Sequence, residues 1–164
     1  MATEKRSREQ LPLREEKPKH ALYIDSSFFF PADSSDGYTD DYQSGRYTNV
    51  GDRTLQAAIP LPVGADISTL TIYYKNTSDS PMQVAFLRKS IDHHCPSGEV
   101  EVSLDSCPPG SSVPDDYLEK EINHFDLSGV IQDKYLYFLQ IFNTGKIDDK
   151  QWRTLRGIRI VYQY

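Results

Sequence analysis

Hydrophobic residues recur at every second position in several short stretches of this chain, a pattern typical of β-strands with one buried face. Residues 70–74 and 82–86 both alternate in this way. Between them lies the segment 76–81, whose Asn, Ser, Asp and Pro residues favour turns. The region 61–89 therefore predicts two strands joined as a β-hairpin.

Other stretches with strand character are separated by residues that favour turns. The run at 135–142, YLYFLQIF, is apolar on both faces, which predicts a central strand covered on both sides. In the last stretch the apolar spacing shifts at Gly157, which predicts a β-bulge. The stretches are 21–31, 46–50, 54–59, 99–104, 118–125, 135–142 and 152–164.

No stretch of useful length repeats with the period of an amphipathic helix, and one helical turn is expected at 126–133. About eight or nine short strands with intervening loops are typical of a β-sandwich. The sequence therefore predicts an all-β fold, namely a two-sheet antiparallel sandwich that is jelly-roll-like. Its 164 residues fit one domain.

Three consecutive phenylalanines, Phe28, Phe29 and Phe30, lie in the first of these strands. A strand directs successive side chains to opposite faces, so at least one of the three belongs to each face. We expect them to pack in the core and against a sheet rather than to form a ligand platform. Two loops are also predicted, an acidic one at 32–45 and a Pro/Gly/Ser-rich one at 105–116.

The N-terminal residues 1–20 form a basic arm in front of an acidic body. The arm carries six Lys or Arg and four Glu, which gives it a charge of +2. Because the whole chain has a net charge of −6, residues 21–164 carry −8. It has too few apolar residues for a core of its own. We expect it to extend from the β-sandwich domain at 21–164 and to add a strand to a neighbouring subunit through Leu11, Leu13 and Arg14. A solvated tail is the alternative.

The acidic balance of the chain, with an isoelectric point near 5.2, argues against a general nucleic-acid binder. The N-terminus has no apolar run of the kind found in signal peptides, and no segment approaches the roughly 18 apolar residues of a membrane span. The sequence therefore does not determine the cellular compartment, and we expect the protein to be part of a particle or an extracellular structure.

Part of the pattern resembles a known group of proteins. The segment LPVGADISTLTIYYKNTS, followed by VAFLRKS, YLYFLQIF and the terminal LRGIRIVY, is similar to a loosely defined group of bacterial β-sandwich modules. Those modules share a Leu-Pro-x-Gly-Ala lead into a strand rich in Thr and Tyr. The resemblance covers roughly residues 54–164 and rests on turns and core positions, so it implies a fold and no active site.

Metal-ligand residue types cluster only around His93, His94, Cys95 and Cys107. Adjacent histidines rarely reach one ion and the cysteines lack the C-x-x-C spacing, so zinc is not favoured. A disulfide between Cys95 and Cys107, worth up to ~3 kcal/mol, and two unpaired thiols are the alternatives. The acidic loop does not match a calcium-binding loop. We therefore expect no metal and no cofactor.

The sequence contains no motif of nucleophilic, metalloprotease or phosphate-binding chemistry, so we do not expect an enzyme. Tyrosines around the acidic loop and on a predicted polar strand face are better candidates for ligand contact. Tyrosine rings stack on sugars and also suit protein interfaces. The four candidates are Tyr38, Tyr42, Tyr47 and Tyr73.

Two functions fit these observations. The first is a non-enzymatic structural subunit of an assembly such as a virion, phage-like particle, surface fibre or injection apparatus. Its partners would be other copies of itself or other subunits. The second is a carbohydrate or cell-surface binding module whose partner is a surface glycan. Neither involves nucleic acid or a membrane span, and a metal-dependent enzyme is a weaker third alternative.

Overall fold

The computed structural model describes residues 17–41, 45–91, 100–110, 117–125, 130–148 and 151–164, without the side chains of residues 41 and 100–104. Within these residues the chain forms eleven strands and one short 3₁₀-helix, Ser26–Phe28. The strands are β1 (Lys19–Asp25), β2 (Phe30–Pro31), β3 (Tyr38–Asp41), β4 (Gly45–Thr48), β5 (Arg53–Ala58), β6 (Asp66–Asn76), β7 (Met82–Ser90), β8 (Val100–Cys107), β9 (Leu118–Ile122), β10 (Tyr135–Lys146) and β11 (Trp152–Gln163).

The strands form two antiparallel sheets, which are joined where the end of β10 pairs with the start of β11. In the first sheet, β11 lies between β1 and β6, because Ile158 pairs with Ile24 on one side and with Ile72 on the other. Strand β9 extends this sheet beyond β6, while β4 pairs with β11 and β3 pairs with β4. The second sheet has the order β2-β5-β10-β7-β8. The fold is therefore the predicted two-sheet, jelly-roll-like sandwich.

The core lies between the sheets and is filled by alternate residues of the long strands. Leu139 and Ile141 of β10 and Ile158 and Ile160 of β11 are almost completely buried. Burial of one such side chain contributes about 1.5–3 kcal/mol. The alternation of the sequence thus corresponds to inward and outward faces, and the predicted bulge is confirmed by the register shift between Leu155 and Gly157.

The predicted hairpin at 61–89 is wrong, although both of its strands exist. Strand β6 pairs with β11 and β9, whereas β7 pairs with β10 and β8, so the connection crosses from one sheet to the other. Asn76 organises this crossing. Its side-chain amide donates to the Ser80 carbonyl oxygen at 2.9 Å, and its side-chain oxygen accepts from the Ser78 amide at 3.1 Å. A corner between sheets thus uses the same side-chain-to-backbone bonds as a hairpin turn.

Several loop boundaries also differ from prediction. The acidic loop contains β3, because this segment pairs with β4. Strand β8 continues to Cys107 through part of the predicted 105–116 loop. The first predicted strand is divided into β1, the 3₁₀-helix and β2. Strand β1 begins at Lys19, inside the predicted arm, whereas residues 126–129 of the predicted helical turn lie outside the described residues.

Two predictions about burial are wrong in an informative way. Strand β10 is central in its sheet, but its outer face is not covered throughout, since Leu136 is exposed. Of the three phenylalanines only Phe29 is buried, while Phe28 and Phe30 are exposed. Both exceptions occur on the same side of the molecule, where they form one surface.

Two glycines with nearly equal backbone angles allow a test of the packing of β4 against β11. Gly45 and Gly64 have φ values of +87° and +88°. A Cβ at Gly45 would overlap the Leu155 carbonyl oxygen, whereas at Gly64 it would meet only the Tyr164 ring at 3.7 Å. We expect Gly64→Ala to cost about 1 kcal/mol from the left-handed backbone alone, and Gly45→Ala to cost about 3 kcal/mol or more.

Urea unfolding of both variants measures this difference. Equal losses of unfolding free energy in the two variants would contradict the close contact between β4 and β11.

Candidate functional site

A groove with a volume of about 850 Å³ lies on the outer side of the second sheet. Its floor comes from β5, the first half of β10 and the end of β7. One wall is the phenylalanine segment 28–30, and the other is formed by residues 59–63 and 131–133. The groove therefore occupies the part of β10 that the sequence predicts to be covered.

Exposed apolar side chains are concentrated in this groove. Ten large hydrophobic side chains of the described residues are exposed, and five of them line the groove with exposed fractions between 48% and 66%. Exposed apolar surface collected in one place marks an interaction site more often than scattered residues do. The five residues are Phe28, Phe30, Val63, Ile91 and Leu136.

The phenylalanine wall is held from below by Phe29, which is completely buried. Asp25 caps the 3₁₀-helix, because the Ser27 amide donates to its carboxylate at 2.8 Å. Hydrogen bonds from the Ser27 amide and hydroxyl lower the pKa of Asp25, with help from the nearby charges of Arg156 and Arg46. The Phe29 amide donates to the Ser26 carbonyl at 3.0 Å, which places Phe28 and Phe30 on the surface.

The opposite wall is fixed by backbone hydrogen bonds. The Gly64 amide donates to the Ile131 carbonyl at 2.8 Å, and the Ile131 amide donates to the Ala65 carbonyl at 2.8 Å. The Gln132 amide donates to the hydroxyl of Tyr137, a buried residue of β10, at 3.1 Å. The groove is thus formed before any ligand is present, as is usual for binding sites.

The floor is apolar, with polar side chains at defined places. The Gln140 amide group donates to the Gln56 side-chain oxygen at 3.4 Å across β10 and β5. Register places Leu87 beside Phe138 on this outer face, where Leu87 is buried although it lies outside the cluster between the sheets. Lys89 and Asp133 are the charged residues among the described groove lining. Such a surface can pack against apolar faces and hydrogen-bond to polar edges.

The structure does not bring the predicted tyrosines together. Tyr38 lies beside the groove, with its ring centroid 6.0 Å from that of Phe30 in an edge-to-face contact. Tyr47 packs near Trp152, at a centroid distance of 5.8 Å. Tyr73 lies on β6 in the first sheet, where it pairs with Glu119 of β9, and Tyr42 lies outside the described residues.

Sequence reasoning missed Phe28 and Phe30 as site residues. It treated three phenylalanines as parts of one regular strand. The available signal was the proline that follows them together with Asp25, Ser26 and Ser27 before them, which favour a capped turn over a continuous strand.

The remaining candidates do not form a site in the described part of the chain. No group of three or more potential metal ligands occurs there. Two carboxylates of the acidic segment contact protein groups. The Asp36 carboxylate lies 3.4 Å from the Arg53 Nε, and the Asp33 carboxylate accepts a hydrogen bond from the Ser35 amide at 2.9 Å. The arm residues Leu11, Leu13 and Arg14 lie outside the described residues, as do His93, His94 and Cys95. No helix among the described residues has the length and apolarity required to cross a membrane.

Cys107 has a free thiol in the structure. Cys95 lies outside the described residues, so the choice between a disulfide and two unpaired thiols stays a prediction. Cys107 ends β8 and is completely buried. Burial raises the pKa of the Cys107 thiol to about 12, and the negative charge of Asp105 acts in the same direction. A thiol with so high a pKa holds almost no thiolate at neutral pH and is unreactive.

Thiol labelling tests this description. In a Cys95→Ser variant at pH 8, we expect a disulfide reagent to leave the folded chain unlabelled and to label one thiol after unfolding, because only unfolding exposes Cys107. Rapid labelling of the folded variant would contradict a buried thiol. The unchanged chain, unfolded without reductant, decides the pairing. If it then has no free thiol, Cys95 and Cys107 form a disulfide.

No protein-family model matches the sequence, and no curated protein matches it significantly. Solved structures are similar in fold. The C-terminal CBM6 module of LamC, a laminarinase from Zobellia galactanivorans, superposes with a TM-score of 0.53 and 11% identity over 86% of this chain and 98% of that one. A CBM36-1 domain of a xylanase from the hindgut metagenome of Trinervitermes trinervoides superposes with a TM-score of 0.51 and 8% identity, over 86% of this chain and 96% of that one.

The CBM22-1 xylan-binding domain of Xyn10C from Paenibacillus barcinonensis gives a TM-score of 0.50 and 12% identity, over 90% of this chain and 97% of that one. At such low identities the likeness shows the fold alone. The fold is that of β-sandwich carbohydrate-binding modules, in agreement with the β-sandwich module that the sequence resembles.

Proposed function

We propose that this chain is a carbohydrate-binding module whose ligand lies in the groove on the outer side of the second sheet. The observation that carries the proposal is the collection of five exposed apolar side chains, two of them phenylalanines, in one preformed groove. This is the second of the two functions that the sequence suggests.

The chemistry of the groove suits a sugar chain. A pyranose ring has faces made largely of C–H groups, which pack on flat or aliphatic side chains, and edges of hydroxyl groups, which need donors and acceptors. Phe28, Phe30 and Leu136 supply the first kind of contact. Gln56 and the charged residues Lys89 and Asp133 supply the second. Both walls are held by the protein's own backbone, so little ordering is required on binding.

The fold supports binding rather than assembly. Three modules of this architecture are named CBM, which stands for carbohydrate-binding module, and one of them is called xylan-binding. The alternative of a structural subunit depended on residues 1–20, of which 1–16 lie outside the described residues. Contact between that arm and other copies of the chain stays a prediction.

The groove supports binding without hydrolysis. Glycoside hydrolases generally place two carboxylic acids about the scissile bond, as an acid and as a base or nucleophile. Among the described residues that line the groove, Asp133 is the single carboxylic acid. We therefore propose that the domain holds its glycan unchanged.

Phe30→Ala tests the site directly. We expect the affinity for laminarihexaose or xylohexaose, whichever binds, to fall about tenfold, because the ring is the wall against which a sugar face packs and the loss corresponds to about 1.4 kcal/mol. Calorimetry on the full chain measures the change.

Tyr23→Ala is the matched control, because Tyr23 is also an exposed aromatic residue, at 68% against 52% for Phe30, and lies on β1 of the other sheet. Its affinity should change less than twofold. Equal losses in the two variants, or binding of neither oligosaccharide and of neither parent polysaccharide, would contradict the proposed function.

A further inference from the structure

A buried arginine lies directly behind the phenylalanine wall. Arg46 of β4 is only 5% exposed. Its Nη1 donates to the Phe29 carbonyl oxygen at 2.6 Å, and its Nη2 donates to the Asp40 carboxylate at 2.8 Å. Arg46 therefore connects the backbone of the phenylalanine segment to β3 and β4 of the first sheet.

The same guanidinium group contacts two aromatic rings at the edge of the groove. Its central carbon lies 5.2 Å from the centroid of the Phe30 ring and 4.3 Å from that of Tyr38. These are cation–π distances, and the contact is stronger when the cation is withdrawn from water, as Arg46 is. The two rings also touch each other edge to face. Arg46, Phe30 and Tyr38 thus form one cluster.

Stability alone explains Arg46 poorly. Burial of a charge is costly, and an apolar residue of similar volume is often as stable as a buried ion pair. The Arg46 Nε is buried and has no hydrogen-bond partner among the described residues, which adds to the cost. The contacts specific to Arg46 are those with the phenylalanine segment, which point to the geometry that it imposes on its neighbours.

The phenylalanine segment needs such support, because β2 has only two residues. Its ladder with β5 consists of Phe30 opposite Gln56 and Pro31 opposite Leu55. Two hydrogen bonds restrain the backbone between the two exposed rings: the Phe29 amide donates to the Ser26 carbonyl, and Arg46 donates to the Phe29 carbonyl.

We propose that Arg46 is a positioning residue, which fixes the rings of Phe30 and Tyr38 at the edge of the groove and thereby sets its affinity for glycan. The affinity part rests on the proposed function, whereas the positioning part does not. Tyr38 thereby becomes an extension of the phenylalanine wall, available to a ligand longer than the groove. Lysine cannot replace Arg46, because its ammonium group lacks the planar fork that reaches the Phe29 carbonyl, Asp40 and both rings together.

Arg153 provides a matched control. It is also buried, at 2%, and its Nη2 donates to Asp52 at 2.6 Å, but it is not among the described residues that line the groove. It is therefore a buried, ion-paired arginine of the same sandwich without the proposed role.

The experiment compares Arg46→Lys and Arg153→Lys in the full chain by two measurements. The first is the NMR signals of the Phe30 and Tyr38 ring protons without ligand. The second is the affinity for laminarihexaose and xylohexaose. We expect Arg46→Lys to move both ring spectra toward those of free side chains and to weaken binding at least fivefold. Arg153→Lys should leave the ring spectra unchanged and the affinity within twofold.

The outcomes separate the two proposals. Unchanged ring signals in Arg46→Lys would overturn the positioning role, and so would equal effects of the two variants. Shifted rings with unchanged glycan affinity would overturn the link to binding. If the unchanged chain binds neither oligosaccharide, the proposed function fails while the ring signals still decide the positioning role. Should Arg46→Lys not fold, Asp40→Asn replaces it. We expect Asp40→Asn to shift the Phe30 and Tyr38 ring signals in the same direction. Unchanged ring signals in Asp40→Asn would overturn the proposal.

Discussion

Burial of Phe29 is the constraint on which the groove depends. The ring is fully enclosed between the sheets, a burial worth about 3 kcal/mol or less. The core sets the position of the Phe29 ring, and the Phe29 carbonyl accepts a hydrogen bond from Arg46. Its neighbours Phe28 and Phe30 are therefore directed to the surface. The same short segment therefore contributes to the core through one residue and to the candidate site through two.

The second sheet carries apolar residues on its outer face, at the groove, as well as on its inner face. On the inner face of β10, Leu139 and Ile141 pack in the core, while Leu136 and Phe138 face the groove. Leu87 is also buried, beside Phe138 on that outer face and outside the core between the sheets. Leaving the remaining apolar surface in contact with water is unfavourable, and a ligand that covers it gains that free energy on binding. The groove is thus ready to accept a partner with an apolar face.

Local patterns were sufficient to predict most of the strands. The alternation at 54–59 and the apolar run at 135–142 correspond to β5 and β10, and the altered spacing marks the bulge at Gly157. These features depend on neighbours along the chain. The hairpin prediction failed because strand pairing is not local: the polar corner at Asn76 has turn chemistry whether the next strand pairs with the last or crosses to the other sheet.

The site was harder to predict for the same reason. Tyr38, Tyr47 and Tyr73 share a residue type, but β3, β4 and β6 place them on different surfaces. The groove instead combines residues more than 100 positions apart, such as Phe28 and Leu136. No periodicity in one segment indicates that such residues meet, and only the order of the strands in the sheet brings them together.

The most direct test of this account is an NMR titration of the full chain with the better of laminarihexaose and xylohexaose, following every assigned backbone amide. If the groove binds glycan, the largest shifts will occur at residues 28–30, 59–63 and 131–138. The amides of β9 should hardly move, since this strand lies at the edge of the first sheet, beyond β6, and does not line the groove. Shifts confined to the first sheet would contradict the account.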